Sequence, residues 1–341
     1  MRYPYQIPSE TLLSDRPYFS IGVTTFKRRE LLVETLSSIL AQTFADFEVI
    51  VGNDNTAESL TQEMLGIDDR RVRILNHPVN LGEIGNMNEL LAQSRGRYFT
   101  WLADDDLYTP DFLQAVWDAH GRHGPVSCVF TNYASGATCK PGKVSYADKI
   151  KLVTGRDFLR TYLDRKFMAI GCYGVFELQY LREIGGMERL GSGFSPYSDN
   201  LLAIKAGALE NLCYIDAPLI FFRTHLGSIS YSSPDLDAYL TAQDDLCARA
   251  LEIFKSPQLQ QDMQHNLYQL LCYWCLTFMF HVLRRSQKAR TGYLRDYSQF
   301  LYRYSGTLGA YRVKLVAKMV RLMVSHWVFG LARSRSDAVH K

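Results

Sequence analysis

The sequence predicts an α/β fold with a mostly parallel sheet, followed by a helical C-terminal region. Between residues 17 and 131, short apolar β-branched runs alternate with helical patterns, which is typical of a parallel sheet covered by helices on both faces. From residue 235 onward the pattern becomes helical, with few Gly or Pro. The composition, 47% hydrophobic and 21% charged, is that of a globular protein and excludes disorder, collagen and low complexity.

The predicted strands have the usual length of four to seven residues and are bounded by polar or turn-forming segments. They cover residues 19–25, 47–52, 72–76, 98–103 and 126–131. The clearest helix follows the first strand at residues 30–41, where apolar side chains recur four positions apart. Ligands of such sheets bind at the carboxyl ends of the strands, so functional residues are expected there.

The break at Ser232, Ser233 and Pro234 predicts a domain boundary, with domains at residues 1–232 and 233–341. Residues 132–232 are rich in Gly, as expected of site-building loops and short strands. Helices are predicted over residues 237–254, 257–283 and 311–332. The second would begin with Ser256 as N-cap and Pro257 in the first helical position.

The cysteine usage and the N-terminal sequence predict a cytoplasmic protein. Seven Cys without framework spacing favour a reducing compartment, and no secretory signal pattern precedes the first strand. The close pair Cys272 and Cys275 is interpreted as buried core cysteine, not as a zinc or redox site. Polar residues interrupt the uncharged stretch 263–283, which predicts a buried or membrane-touching amphipathic helix and not a membrane span.

The net charge of +3 hides two regions of opposite sign. Residues 1–280 contain 25 Lys and Arg against 33 Asp and Glu, a balance of −8. Residues 281–341 contain 13 against 2, a balance of +11. The body of the chain is therefore acidic and its C-terminal tail is basic.

Three consecutive carboxylates, Asp104, Asp105 and Asp106, follow the strand predicted at residues 98–103. Because like charges repel, holding three together at a strand end indicates a hard divalent cation. Mg²⁺ takes one or two carboxylates and completes its shell with phosphates and water, so a metal-bound nucleotide is the expected partner. The alternative is a solvated turn with a helix N-cap before Pro110.

Two other strand ends carry polar side chains. Asp54 follows the apolar run of the second strand, and its carboxylate could accept hydrogen bonds from a base or ribose or form a plain Asx turn. The first strand ends in Thr24 and Thr25, and Arg28 follows closely, a combination that suits a diphosphate. Three such clusters at the carboxyl ends of strands are harder to explain as turns than any one cluster alone.

Several segments, in order, resemble the nucleotide-sugar domain of family 2 glycosyltransferases with the GT-A fold. They read SIGVTTFKRRELLVETLSSILAQT, FEVIVGNDNT and NHPVNLGEIGNMNELLAQSRGRYFTWLADDDLYTPDFL. The resemblance extends over roughly residues 17–225 and leaves the basic tail outside. It implies a Rossmann-like, mostly parallel GT-A sheet with helices on both faces, preceding the C-terminal helical region.

The resemblance also implies roles for individual residues. Asp54 would bind the base, Asp104 would face the ribose or sugar, and Asp199 falls where the family places its general base. Mg²⁺ or Mn²⁺ would be the cofactor, and the ligand among the three carboxylates stays open. The implied donor-binding residues are Thr24, Thr25, Arg28, Asp54, Gly82, Asn88, Asp104 and Arg223; the implied metal ligands are Asp105, Asp106 and His225. Gly185, Gly186, Met187 and Glu188 resemble the family's turn beside the acceptor.

Departures from the family pattern affect the nucleotide and metal assignments more than the reaction class. Thr24 and Lys27 stand where the family usually has Pro and Asn, and Met87 stands where it often has Arg. Ala103 replaces the first Asp of the common motif, and Ser198 replaces the acidic neighbour of the base. For Asp199 the alternative is a surface acid at a helix N-terminus, and for His225 an ordinary loop histidine.

The implied activity is an inverting, metal-dependent transfer of a sugar, with a UDP-sugar favoured as donor. The acceptor would be a hydroxyl of a glycan or lipid-linked molecule in cell-envelope polysaccharide synthesis. One alternative is a nucleotide-sugar binding or regulatory module without transfer activity. Another is a nucleic-acid-binding tail, but no known nucleic-acid motif accompanies the basic segment, so no nucleic-acid partner is predicted.

The tail predicts a basic helix with a broad apolar face over residues 311–332. Such a helix suits the inner face of an anionic membrane, which would be useful with a lipid-linked acceptor. The alternatives are that its apolar face packs on the helix near residues 267–283 or forms a contact between copies in an oligomer.

Overall fold

The computed structural model describes residues 16–138, 142–191, 195–225, 236–272, 290–322 and 324. By their contacts these residues form two compact units. Of the described residues, 16–138, 142–153, 169–188 and 211–224 belong to the sheet unit, and 154–168, 189–191, 195–210, 225, 236–272, 290–322 and 324 belong to the helical unit. The predicted boundary between residues 232 and 233 lies outside the described residues.

The sheet unit confirms the predicted α/β fold. Within the described residues its sheet has nine strands in the order β3-β2-β1-β4-β8-β6-β9-β5, and β7 pairs with β9. The strands are β1 (Phe19–Thr25), β2 (Phe47–Asn53), β3 (Val72–Asn76), β4 (Tyr98–Ala103), β5 (Leu107–Tyr108), β6 (Cys128–Gly136), β7 (Ile150–Thr154), β8 (Val175–Glu177) and β9 (Asn211–Arg223). Pairings among β3, β2, β1 and β4, and between β6 and β9, are parallel; β8 and β5 pair antiparallel with their neighbours.

Four helices accompany the described strands of this unit. They are α1 (Arg29–Leu40), α2 (Gly82–Gln93), α3 (Phe112–His123) and α5 (Leu178–Glu183). The strands β1 and β2 are buried along almost their whole length, which requires cover on both faces of the sheet. The core between these layers includes Phe19, Ile21, Leu36, Val49 and Val116.

In the described ranges of the helical unit, two helices come early in the chain and four come late. They are α4 (Gly155–Leu163), α6 (Ser198–Ala206), α7 (Leu236–Phe254), α8 (Met263–Gln269), α9 (Arg290–Ser305) and α10, residues 311–322. α6 packs on α7, and α4 packs on α8. The buried Gln243 donates a hydrogen bond to the hydroxyl of Tyr197 at 2.6 Å, and Arg156 forms an ion pair with Asp262 at 2.6 Å. These contacts group residues 154–168 and 189–210 with the C-terminal helices.

The second predicted C-terminal helix does not begin at Pro257. Residues 257–259 form a turn, a 3₁₀ turn follows at Gln260–Asp262, and α8 begins only at Met263. The backbone amides of Leu259 and Gln260 both bond to the carbonyl of Ser256, which closes a tight turn in place of a helix start. The remainder of the prediction, residues 273–283, lies outside the described residues, as does Cys275.

Helix α9 was not predicted, because its sequence is rich in Tyr, Ser and Arg and shows only a weak apolar period. Its buried side chains Phe300, Leu301 and Tyr304 are spaced to form one face. Cys272 is buried, as expected of a core cysteine. Within the described part of the chain, no helix has the length and apolarity needed to cross a membrane.

His120 on α3 provides a stability prediction. Its ring stacks on Tyr98 and its Nδ1 lies 2.9 Å from the hydroxyl of Tyr18. Burial, assisted by the charge of Arg97, lowers the pKa of His120 to about 4. The unfolded chain therefore binds a proton that the folded protein does not between this value and the ordinary pKa of about 6.5.

Because of this difference, the contribution of His120 to stability should be complete above about pH 6.5 and should be lost progressively as pH falls toward 4. The loss should reach about 3 kcal/mol, and His120→Gln should remove that part of the pH dependence. Urea unfolding of both proteins across this range tests the expectation. Identical pH profiles for the two proteins would contradict it.

Candidate functional site

The carboxyl ends of three parallel strands lie level at one edge of the sheet. Thr24 at the end of β1 pairs with Gly52 of β2 on one side and with Ala103 of β4 on the other. The segments that follow these strands therefore meet, as parallel strands require. The three polar clusters predicted from the sequence therefore lie at one edge of the sheet.

Asp104 is fully buried and is held by the end of β1 and the loop after it. The hydroxyl of Thr25 donates to its Oδ2 at 2.6 Å, and Arg28 Nη2 lies 2.6 Å from its Oδ1. Burial raises the pKa of Asp104 to about 6, while the positive charge of Arg28 opposes the rise. Three of the predicted donor-binding residues are thus in direct contact.

Arg28 also binds Asp105. Its Nη1 donates to Asp105 Oδ2 at 2.7 Å, so one guanidinium bridges two adjacent carboxylates. The Arg28 side chain keeps 28% of its surface exposed, whereas that of Asp105 keeps 9%. The guanidinium supplies the positive charge that keeps these carboxylates together.

Asp106 is anchored by groups far away in sequence. The hydroxyl of Tyr173 donates a short hydrogen bond to its Oδ2, and the backbone amide of Arg223 donates to its Oδ1 at 2.7 Å. Thr35 of α1 donates to its carbonyl oxygen at 2.9 Å. Burial, followed by the negative charge of Asp105, raises the pKa of Asp106 to about 7. Both carboxylate oxygens of Asp106 therefore already accept hydrogen bonds from the protein.

The backbone amide of Arg223 binds Asp106, and its guanidinium binds a side chain of α1. The Arg223 Nη2 atom donates to Glu34 Oε2 of α1 at 2.8 Å. Together with the amide bond to Asp106, this ion pair links the end of β9 to α1. The sequence did not indicate Glu34 or Tyr173, because neither belongs to a recognisable motif.

Asp54 is buried where β2 meets the start of α2. The amides of Leu81 and Gly82 donate to its two carboxylate oxygens at 2.6 and 2.8 Å. This arrangement places a negative charge at a helix N-terminus, where it is stabilised. Gly82 adopts a φ of 70°, a conformation that favours glycine. Asp54 and Gly82, which are both among the predicted donor-binding residues, are therefore in contact.

Asn88 contacts the glycine turn that the sequence placed near the acceptor. Its Nδ2 donates to the carbonyl of Met187 at 2.8 Å, and the amide of Met187 donates to its Oδ1 at 3.0 Å. Gly186 has a φ of 60°, and a Cβ atom there would lie 2.6 Å from Asn88 Oδ1. Asn88 thus fixes the turn in position, a role that the sequence did not suggest.

A polar cavity of about 180 Å³ opens beside the ends of β1 and β2. It is lined by Thr25, Lys27, Arg28, Arg29, Glu30, Asn53, Asn55, Glu58 and Leu60. Lys27 has a φ of 59°, which is unusual for a residue with a side chain and is often found at functional sites. Three cations outnumber the two carboxylates in this lining, so the cavity has an excess of positive charge that suits an anion.

The predicted base and the last predicted metal ligand belong to the helical unit. Asp199 is half-buried in the first turn of α6, between the buried residues Ser198 and Asn200. Asn200 donates to the Tyr162 hydroxyl at 2.9 Å, which ties the start of α6 to α4. His225 is half-buried and follows β9 in the chain.

The arrangement of the carboxylates indicates which of them could hold a metal ion. No group of three or more His, Cys, Asp or Glu side chains within the described ranges is arranged to hold one. Mg²⁺ needs only one or two carboxylates when phosphates and water supply its other ligands. Asp105, whose partner Arg28 is a partly exposed cation, therefore fits such a metal better than Asp106, which accepts bonds from Tyr173 and the Arg223 amide.

Comparison with known proteins agrees with the family that the sequence motifs resemble. The sequence model of the family described as Glycosyl transferase family 2 matches residues 20–185. The GalNAc(5)-diNAcBac-PP-undecaprenol beta-1,3-glucosyltransferase of Campylobacter jejuni is 40% identical over 93 residues, which cover 26% of this chain and 30% of that protein. The UDP-Glc:alpha-D-GlcNAc-diphosphoundecaprenol beta-1,3-glucosyltransferase WfgD of Escherichia coli is 24% identical over 156 residues, covering 44% and 61%. The chain therefore spans less than two thirds of the length of either relative.

A solved structure matches a larger part of the chain than these two relatives do. The crystal structure of S. aureus TarS 1-349 in complex with UDP-GlcNAc has a TM-score of 0.65 and covers 89% of this chain and 88% of its own. At 15% sequence identity the likeness shows the fold alone. That fold agrees with the one implied by the sequence motifs.

Proposed function

Because residues 20–185 belong to glycosyl transferase family 2, we propose that this protein transfers a sugar from a nucleotide-diphosphate donor to an acceptor hydroxyl. The observation that carries the proposal is the contact of Asp104 and Asp105 with Arg28 beside a cationic cavity. A pure structural turn would not need a fully buried Asp104 with a raised pKa in contact with Arg28, which lines the cavity.

The donor is proposed to be a UDP-sugar bound along the carboxyl ends of β1, β2 and β4. The relative WfgD is named for UDP-Glc, and the TarS structure contains UDP-GlcNAc. Arg28 and its neighbouring cations would hold the diphosphate. Each oxygen of Asp54 accepts one backbone hydrogen bond and keeps a second acceptor position, which could accept an N–H group of the base.

A divalent cation, Mg²⁺ or Mn²⁺, is proposed as cofactor, with Asp105 as the carboxylate that would hold it. Such an ion supplies positive charge that stabilises the departing nucleoside diphosphate. Asp106 and His225 remain the other predicted ligands. Asp106 would then act mainly by fixing the loop through Tyr173 and the end of β9.

The proposed reaction is a direct displacement at the anomeric carbon with inversion of configuration. Asp199 would accept the proton of the attacking hydroxyl as general base. Arg28, whose guanidinium binds the carboxylates of Asp104 and Asp105, would stabilise negative charge on the leaving diphosphate. The contact between Thr25 and Asp104 would keep the donor-facing carboxylate oriented.

The acceptor is proposed to be a glycan or a lipid-linked molecule of the cell envelope, because both curated relatives are named for undecaprenol-linked substrates. We place the protein in the cytoplasm, with peripheral contact at the inner face of an anionic membrane through its C-terminal helical region. Assembly into an oligomer stays a prediction.

A panel of nucleotide sugars with Mg²⁺ or Mn²⁺ tests the donor assignment through thermal stabilisation. A ligand at about 100 times its Kd should stabilise the folded protein by about 2.7 kcal/mol, so a UDP-sugar should raise the Tm by several degrees. The same panel without metal is the control. If no nucleotide sugar raises the Tm, the proposed function is wrong.

Slow hydrolysis of the donor in the absence of acceptor separates an enzyme from a binding module. A glycosyltransferase should release nucleoside diphosphate from its preferred donor in a metal-dependent reaction. A protein that only binds would show the thermal stabilisation without any release. The latter result would support the regulatory alternative.

A further inference from the structure

The last described helix, α10, has apolar side chains on two opposite sides. Leu315 on one side is only 3% exposed. The other side carries Val313, Val316, Val320 and Val324, which are 77%, 50%, 50% and 56% exposed. At about 100° per residue these four positions fall within an arc of about 80°, so they form one stripe. The structure thus separates a packed side of the helix from an exposed valine stripe.

Cations flank the valine stripe. Arg312, Lys314 and Arg321 are exposed, and the helical period places Arg312 on one side of the stripe and Lys314 and Arg321 on the other. Residues 297–336 contain seven Lys and Arg and no Asp or Glu. Arg312 and Lys314 lie over the rings of Tyr302 and Tyr311, at 5.9 and 5.0 Å from the ring centroids.

We infer that the valine stripe and its flanking cations form a surface that docks on an anionic lipid bilayer. The valines would enter the boundary between headgroups and acyl chains, while the cations would meet lipid phosphates. A nucleic acid would use the cations and leave the valines exposed to water. Two copies pairing through this stripe would bring cations near each other, at a cost in binding.

This inference deepens the membrane contact proposed with the function, but it stands on residues other than those of the donor site. Either proposal can therefore fail without the other. Donor hydrolysis without acceptor measures the transferase site, and vesicle binding measures the valine stripe. Variants of exposed residues on α10 should leave the hydrolysis rate unchanged.

Sedimentation of the full chain with vesicles tests the inference. Vesicles of phosphatidylcholine with one quarter phosphatidylglycerol should bind the protein, and vesicles of phosphatidylcholine alone should bind it much less. Binding should weaken strongly between about 0.05 M and about 0.5 M salt. If the protein does not sediment with the anionic vesicles, the inference is wrong.

Substitutions in the valine stripe and in its flanking cations test whether this surface binds the vesicles. Val316→Glu with Val320→Glu should weaken vesicle binding at least tenfold, because each adds an anion to the stripe. Changing Arg312, Lys314 and Arg321 to Gln should weaken it about fivefold for each cation removed. Val79→Glu with Leu152→Glu is a matched control, since both side chains are exposed, at 60% and 44%, in the sheet unit.

Two outcomes would show that the valine stripe is not the surface that binds the membrane. One is wild-type vesicle binding by the Val316 and Val320 double variant. The other is a change in oligomeric state of that variant, measured by light scattering, without a change in vesicle binding. The second outcome would mean that the stripe packs against another copy of the protein or against another segment of the chain.

Discussion

Replacing Asp199 with Asn is expected to lower the rate of sugar transfer by about 10²- to 10⁴-fold while nucleotide-sugar binding stays close to wild type. Asn has nearly the same shape as Asp but cannot accept the proton of the attacking hydroxyl. Because Asp199 is half-buried in the first turn of α6, the substitution should leave the fold intact. Transfer to an acceptor and thermal stabilisation by the donor measure the two effects separately.

A neighbouring acid provides the control for this substitution. Asp157 lies in the first turn of α4, in the same unit, and is also an acid at a helix N-terminus. Asp157→Asn should retain transfer, because it removes a similar charge without removing the proposed base. Normal turnover by Asp199→Asn would show that the base is another group. A parallel loss of donor binding would instead assign Asp199 to the donor site or to stability.

Replacing Asp105 with Asn is expected to weaken metal-dependent donor binding by at least 100-fold with only a small loss of stability. The substitution removes the charge that would hold the cation. The Arg28 guanidinium also keeps its ion pair with Asp104. Titration of Mn²⁺ by electron paramagnetic resonance, in the presence of donor, measures the metal, and urea unfolding measures stability.

Replacing Asp106 or Tyr173 should instead lower stability and leave Mn²⁺ binding in place. Tyr173→Phe leaves a buried oxygen of Asp106 without its donor and should cost about 1–3 kcal/mol of stability while Mn²⁺ binding persists. Asp106→Asn should likewise destabilise, because the Tyr173 hydroxyl and the Arg223 amide are both donors. If Asp105→Asn binds Mn²⁺ and donor normally, or if the Tyr173 variant is stable but has lost Mn²⁺, then the metal ligand is Asp106.

The strands at the centre of the sheet follow closely from local sequence. The predicted bounds of residues 19–25, 72–76 and 98–103 match β1, β3 and β4. The apolar runs of β1 and β4 are buried on both faces, so pattern and burial agree there, whereas β3 is only partly buried. The strand predicted at 126–131 instead spans Cys128–Gly136, because pairing with β9 extends it into a polar segment.

The C-terminal region was less predictable. The helix start at Pro257 was wrong because a local turn closes at Ser256, and α9 was missed because its apolar period is weak. In α10 the apolar residues alone could not distinguish packing from membrane contact. Burial of Leu315 beside exposure of Val316 indicates that different residues of one helix have different surroundings.

The sequence by itself determined the alternation of strands and helices, the three polar strand ends and the basic tail, because each depends on residues adjacent in the chain. Only the tertiary structure decided how the carboxylates differ. Asp106 is bound by Tyr173 and by the amide of Arg223, which lie 67 and 117 positions away, whereas Asp105 is bound by the partly exposed Arg28. Hydrogen bonds between such distant positions have no local pattern, since they form only when the sheet brings its loops together.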